Sequence, residues 1–245
     1  VHRVLLVLAA FRDPREELGV TDIATALHMD KSVVQRIVAA MREHRFLDQD
    51  PHTRKYRVGL RTWEIGRRFT AGWWVDQAIP MIAELARRTG GTGYVASLDG
   101  TEIVYLATVD GSGPFRVHVD VGSRAAAVDT ALGKAILALL SASELQPLLD
   151  RICNEGDLGR DMPLRRERQD IERELSLIRE QGYGVNRGES RRGVGAVGVA
   201  VANDKGTPIG AISVGFPMMT EYEELWDILP AEVMRIAAEV SSRLA

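Results

Sequence analysis

Thr21-Asp22-Ile23-Ala24-Thr25-Ala26-Leu27, His28-Met29-Asp30, then Lys31-Ser32-Val33-Val34-Gln35-Arg36-Ile37-Val38-Ala39-Ala40-Met41: this stretch decides how the chain is read. Two short amphipathic segments flank a break of about three residues, the spacing a helix-turn-helix needs. Downstream, Phe46-Leu47-Asp48-Gln49 and Tyr56-Arg57-Val58 are short extended segments joined by Asp50-Pro51-His52-Thr53-Arg54-Lys55. A strand-turn-strand with a basic tip has the make-up of a wing lying along a DNA backbone.

At 100° per residue the second segment puts Val34, Ile37, Val38 and Met41 on one side, which must face a core. A helix in any enzyme could carry that stripe. The chemistry of the other side is more specific. Lys31 opens the helix, and Ser32, Gln35 and Arg36 are compact hydrogen-bonding groups in its first turns. Arginine can take guanine O6 and N7 in a bidentate pair, glutamine can take adenine N6 and N7, and the Val33 methyls suit a thymine methyl. Asp30 is expected to cap the helix start. At the wing tip, Arg54 and Lys55 suit phosphates.

Charge divides along the chain. Residues 1–68 hold 13 Lys/Arg against 9 Asp/Glu, and the remainder holds 18 against 25, giving the overall −3. Positive charge follows the proposed reading helix and wing, where phosphate neutralisation would use it. At 245 residues and 45% hydrophobic content, the chain is long enough for two domains. The single Cys153 leaves no internal disulfide and suggests a reducing, cytoplasmic setting. No apolar run approaches the ~20 residues of a membrane span.

Before the motif, residues 2–11 read as a helix with Val4, Leu5, Leu8 and Ala9 inward. Residues 61–69 read as a helix leaving the wing. Trp63, Ile65, Phe69, Trp73 and Trp74 make this junction aromatic, which suits a subunit interface better than simple domain packing. Beyond it the pattern becomes α+β. A helix is expected over 75–89, followed by strands 93–98 and 102–107 around Asp99-Gly100, and a third strand over 115–119. Helices follow over 130–140, 143–151 and 167–181. Strands 194–202 and 209–216 and a helix from Glu221 to Arg243 complete the chain.

No catalytic set emerges. The five histidines are scattered without metal-ligand spacing, no serine sits in a Gly-x-Ser-x-Gly elbow, and Cys153 has no histidine partner. Gly193-Val194-Gly195-Ala196-Val197-Gly198 matches G-x-G-x-x-G by letter. It leads into a β-rich run rather than a helix, so it fails as a dinucleotide site. Neither enzyme activity, nor a cofactor, nor a metal is expected.

Taken together, the chain resembles the IclR family of bacterial transcriptional regulators over nearly its whole length. The matching words are Asp30-Lys31-Ser32-Val33-Val34-Gln35-Arg36, Leu47-Asp48-Gln49-Asp50, Tyr56-Arg57-Val58-Gly59, Thr130-Ala131-Leu132-Gly133-Lys134-Ala135 and Gly182-Tyr183-Gly184-Val185, then Glu189, Gly193 and Ala211-Ile212-Ser213-Val214. The resemblance implies a winged helix-turn-helix over 1–59, a linker helix over 60–75, and a GAF-like effector-binding domain over 76–245 with an antiparallel sheet covered by helices. It also implies an operator in double-stranded DNA, a homodimer or homotetramer, and a small organic effector, often a carboxylate or aromatic acid.

Carried over by position, the family's pocket is lined by Ala125, Ala131, Leu132, Asn186, Ala196, Ser213 and Gly215. Thr130 is a good N-cap, and the N–H groups of Ala131, Leu132 and Gly133 could hold an anion. The chain departs from the family where an alanine is usual at position 129, an acidic residue at 186 and a cysteine at 196. An inward Asp129 would repel a carboxylate. Two other readings are a ligand-insensitive DNA-binding protein whose second domain only oligomerises, and an enzyme with an accessory DNA-binding domain. The small residues at 125–127 and 196 favour a cavity over the first, and the missing catalytic set disfavours the second.

Overall fold

The structure, a computed structural model, describes residues 1–11, 16–68, 72–113, 117–154 and 167–244, with only the backbone at 72 and 73. The chain divides into two compact units, Val1–Gly72 and Trp73–Ala245.

The first unit runs α1 (His2–Ala9), α2 (Val20–Ala26), α3 (Lys31–Glu43), β1 (Leu47–Gln49), β2 (Tyr56–Val58) and α4 (Leu60–Gly66). Its core joins Val7, Ile23, Ala24, Val34, Val38, Met41, Leu47 and Tyr56. The stripe on α3 faces inward as its periodicity requires. On α1 the expected stripe holds only at Leu8, which packs against the core: Val7 is the fully buried residue, while Val4, Leu5 and Ala9 are exposed. In β1 and β2, Leu47 pairs with Val58 and Gln49 with Tyr56. Leu18 extends this sheet, exchanging two backbone hydrogen bonds with Tyr56 at 2.9 and 2.8 Å.

Between α2 and α3 the chain turns at His28, whose φ of +51° is a left-handed conformation. The Met29 N–H reaches back to Ala24 O at 2.9 Å. Asp30 occupies the N-cap position of α3, but its side chain makes no capping hydrogen bond, contrary to expectation. The preceding helix has the side-chain support instead: Asp22 Oδ2 accepts the Gly19 N–H at 2.8 Å.

The second unit runs α5 (Gly72–Thr89), β3 (Thr92–Asp99), β4 (Glu102–Val109), β5 (Arg124–Ala126), α6 (Ala131–Leu139), α7 (Ala142–Asn154), α8 (Arg168–Gln181), β6 (Gly184–Arg187), β7 (Val194–Ala202), β8 (Pro208–Pro217) and α9 (Leu225–Ser242). The strands form one antiparallel sheet in the order β5-β4-β3-β8-β7-β6. Alternation along each strand sends side chains to two faces. On one face, Gly93 meets Ile82 of α5, Gly210 meets Trp74 of α5, and Gly195 meets Trp226 of α9. On the other, Leu132 and Ile136 of α6, Leu149 of α7 and Leu175 of α8 pack with Tyr94, Ala96 and Ile103 of the sheet.

Two strand expectations change. Phe115 and Arg116 lie outside the described residues, and Val117-His118-Val119 are irregular rather than a third strand. Side chains hold that segment to the sheet: Tyr94 Oη donates to Val117 O, and Thr108 Oγ1 donates to Val119 O at 2.9 Å. The edge positions belong to the short strands β5 and β6. At the aromatic junction, Trp74 is a core residue of the second unit, whereas Trp63 and Ile65 are exposed. Phe69 and the Trp73 side chain lie outside the described residues. Among the described residues, no helix is long and apolar enough to cross a membrane.

Candidate functional site

On the first unit, the outward side of α3 carries Lys31, Ser32, Gln35 and Arg36, all exposed, with Val33 half-buried beside them. The burial of Val34, Val38 and Met41 fixes this face outward. Arg54 and Lys55 are exposed in the turn between β1 and β2. Asp50 builds that turn: its Oδ1 accepts the backbone N–H groups of His52 and Thr53 at 2.7 Å each. Those N–H groups of Thr53 and His52 hold the Asp50 carboxyl below the usual carboxylate range. Arg54 turns at a φ of +61°. A link that sequence reasoning missed joins helix to wing. Arg42 Nη1 donates to Gln49 Oε1 at 2.6 Å, and Gln49 Nε2 donates to Arg54 O at 2.9 Å.

On the second unit, Ala125, Thr130, Ala131, Leu132, Asn186, Ala196, Ser213 and Gly215 all line one cavity of about 460 Å³. The register explains how. Gly184, Gly198, Ser213 and Tyr94 form one row across β6, β7, β8 and β3, and Asn186, Ala196, Gly215 and Thr92 form the next. Both rows face α6. At Gly198 an added Cβ would lie 2.8 Å from Ala131 C and 3.0 Å from Leu132 N, so glycine lets the helix start press onto the strand. Beyond that contact, Ala196, Ser213 and Gly215 are too small to fill the gap under the helix. The letters of G-x-G-x-x-G thus mark packing: Gly193 turns into β7 at φ +76°, Gly195 accommodates Trp226, and Gly198 accommodates α6.

Tyr94 and Tyr105 form the cavity's aromatic wall, their rings edge-to-face with centroids 5.7 Å apart. Burial pushes the Tyr105 hydroxyl up to about 12 and raises that of Tyr94 as well, while the charge of Arg191 lowers both. Both phenols are therefore neutral near pH 7. Ser213 is buried on β8, and its hydroxyl makes no hydrogen bond among the described residues.

The helix start offers less to an anion than expected. Thr130 Oγ1 accepts the Gly133 N–H at 3.0 Å, which removes one of the three donors. Asp129 is buried but does not line the cavity. Asn186 is committed to its own loop: Oδ1 accepts the N–H groups of Gly188 and Glu189 at 2.8 and 2.9 Å, and Nδ2 donates to Ser190. That loop carries Ser190, Arg191 and Arg192 to the cavity, and Arg191 Nη1 lies 3.4 Å from His118 O on the opposite rim. Glu189 at its base accepts from Lys134 Nζ at 2.8 Å, and Lys134 also donates to Glu174 at 2.7 Å. Tyr94, Tyr105, Lys134, Arg191 and Arg192 were not anticipated as site residues. The one sequence signal was the dibasic pair between Gly188 and Gly193.

A family model described as "Bacterial transcriptional regulator IclR C-terminal" matches residues 75–242, and one described as "IclR helix-turn-helix domain" matches residues 1–51. The chain is 31% identical over 215 residues to the HTH-type transcriptional regulator XynR of Escherichia coli, spanning 87% of this chain and 84% of that protein. It is 28% identical over 247 residues to the HTH-type transcriptional regulator KdgR of the same species, spanning 100% and 92%. Among solved structures, an IclR homologue from Microbacterium hydrocarbonoxydans complexed with 4-hydroxybenzoate has a TM-score of 0.84 at 20% identity, covering 99% of this chain and 97% of that one. That last likeness is one of fold.

Proposed function

Because the chain belongs to the IclR family of bacterial transcriptional regulators, we propose that it reads an operator through α3 and the wing, and that a small organic molecule in the cavity of the second unit changes its operator affinity. Residues 1–59 form the DNA-binding domain in this reading, 60–75 the linker, and 76–245 the effector domain. Ser32, Val33, Gln35 and Arg36 contact base edges, while Lys31, Arg54 and Lys55 contact phosphates. The action is binding rather than catalysis, inside the cell where the DNA is.

The observation that carries effector control is the cavity: eight residues from five separate elements and their caps converge on it, leaving about 460 Å³ unfilled beneath α6. A domain serving only to oligomerise has no need of such a recess, since its walls forfeit packing contacts. The 4-hydroxybenzoate in the Microbacterium homologue supports organic acids as the first class to try. A homodimer fits an operator of two half-sites, and the exposed Leu60 and Trp63 on α4 support self-association.

The test is fluorescence anisotropy of the full chain on its own upstream DNA, with and without a panel of small carboxylic acids. Coupling of about 1–3 kcal/mol, a change of roughly 5- to 150-fold in affinity, is expected for a cognate effector. Operator affinity unmoved by every compound that raises the melting temperature would leave DNA binding standing and remove effector control.

A further inference from the structure

The cavity is chemically polarised. Its inner wall is uncharged: Ala131, Leu132, Ala196 and Gly215 with the hydroxyls of Tyr105 and Ser213, neither of which makes a hydrogen bond among the described residues. Among the described lining residues, all of the charge lies at the rim, on exposed side chains. Arg124 is committed to Asp99 and Glu102, each at 2.7 Å, and Asp120 lies 3.0 Å from His118 Nε2. Arg191 and Arg192 differ: no carboxylate pairs with either among the described residues, and the contact of Arg191 is to a neutral carbonyl, His118 O. Their loop is held at its base by Lys134 through Glu189 and by the Asn186 carboxamide, so the backbone that carries the two guanidinium groups is anchored at the rim.

Resting on the effector reading above, we infer that Arg191 and Arg192 determine effector specificity. They select a small organic oxyanion whose charged group sits at the rim and whose uncharged end points to Ser213 and Tyr105. Desolvation decides the orientation. A carboxylate pushed to the inner end would lose its water among alanines and tyrosines and gain two neutral hydroxyls and the two N–H groups left at the helix start, whereas at the rim it gains charge-assisted, bidentate hydrogen bonds to two guanidinium groups and keeps part of its hydration. The helix start does not compete well, since the Gly133 N–H is already taken by Thr130. Arginine suits this task because its planar fork matches an oxyanion and stays charged at every working pH.

Calorimetric titration of the full chain with matched acid and amide pairs tests this: 4-hydroxybenzoate against 4-hydroxybenzamide, and phenylacetate against phenylacetamide. The acid of a binding pair should bind at least about tenfold more tightly than its amide, as expected when a charged hydrogen bond replaces a neutral one. In Arg191→Gln/Arg192→Gln that preference should vanish while amide binding is kept, and Arg191→Lys/Arg192→Lys should restore part of it. Both side chains are exposed, so an unchanged melting temperature checks the fold. An acid preference that persists in the glutamine variant overturns the inference and leaves the cavity reading standing. If no compound binds at millimolar concentration, or if Ala196→Phe leaves acid binding unchanged, the cavity reading falls and the inference with it.

Discussion

Lys134 Nζ lies 2.8 Å from Glu189 Oε1, and the lysine side chain is only 1% exposed. The pair ties the second turn of α6 to the loop that closes the cavity rim. Lys134 also reaches Glu174 of α8 at 2.7 Å, so one buried ammonium joins three elements. Its partners keep about a quarter of their side-chain surface in water, which limits the cost of holding them charged.

Burial alone would push the Glu189 carboxyl up, but the hydrogen bond and charge of Lys134 outweigh it and hold the group below its ordinary value. A carboxyl lowered on folding stabilises the fold above its unfolded value and loses that contribution as pH falls through its folded value. Lys134→Met should therefore cost about 2–4 kcal/mol near pH 7, where the half-buried Glu189 carboxylate loses its cation. The deficit should shrink toward pH 4, where the Glu189 carboxyl, no longer held down by Lys134, takes up a proton. Chemical denaturation at both pH values measures it; an equal deficit at the two would mean the loss is one of packing.

His28 occupies a left-handed conformation that costs a non-glycine residue about 1–2 kcal/mol. Glycine relieves that strain while giving back part of it as unfolded-chain entropy. His28→Gly should accordingly stabilise the first unit by roughly 0.5–1 kcal/mol. Thermal unfolding of the full chain reads the change, and a lower melting temperature would show that the imidazole makes a contribution outweighing its backbone strain.

Arg36→Ala and Lys55→Ala should weaken operator binding in different ways. Loss of a base-reading guanidinium costs about 1–3 kcal/mol and relaxes preference at one base pair. Loss of a phosphate-contacting lysine weakens all sequences alike and lowers the salt slope by about one unit. Anisotropy titrations on operator and random DNA across a salt series separate the two. Equal losses on both DNAs for Arg36→Ala would remove its base-reading role.

Ala196→Phe should fill the space beneath α6 and abolish the response to effector. Operator binding without effector should stay within about a factor of ten, or 1.4 kcal/mol. A folded variant that still responds normally would place the effector elsewhere.

The sequence carried the periodic parts of this molecule well. On α3, the polar Ser32, Arg36 and Glu43 lie opposite Val34, Val38 and Met41 and leave one choice of inner face. On α1, His2–Ala9 is apolar at nearly every position after Arg3, so periodicity could not choose between Val4 and Val7; packing against Ile23 and Val34 chose Val7. β5 and β6 have three and four residues, too few for an alternation to show, and only their pairing reveals them. Arg191 was legible only as half of a dibasic pair, because its neighbours at the cavity, Tyr94 and His118, are remote in sequence. Asn186 was legible as a polar pocket residue, but its hydrogen bonds to the loop follow from a turn that spacing does not disclose.

The Arg42–Gln49–Arg54 link makes helix and wing a single stiff tool. The last turn of α3 grips β1, and β1 in turn grips the wing tip, through bonds of 2.6 and 2.9 Å that no DNA contact has to form. A reader built this way has its gauge set before it meets the duplex, so little ordering entropy is lost when it docks.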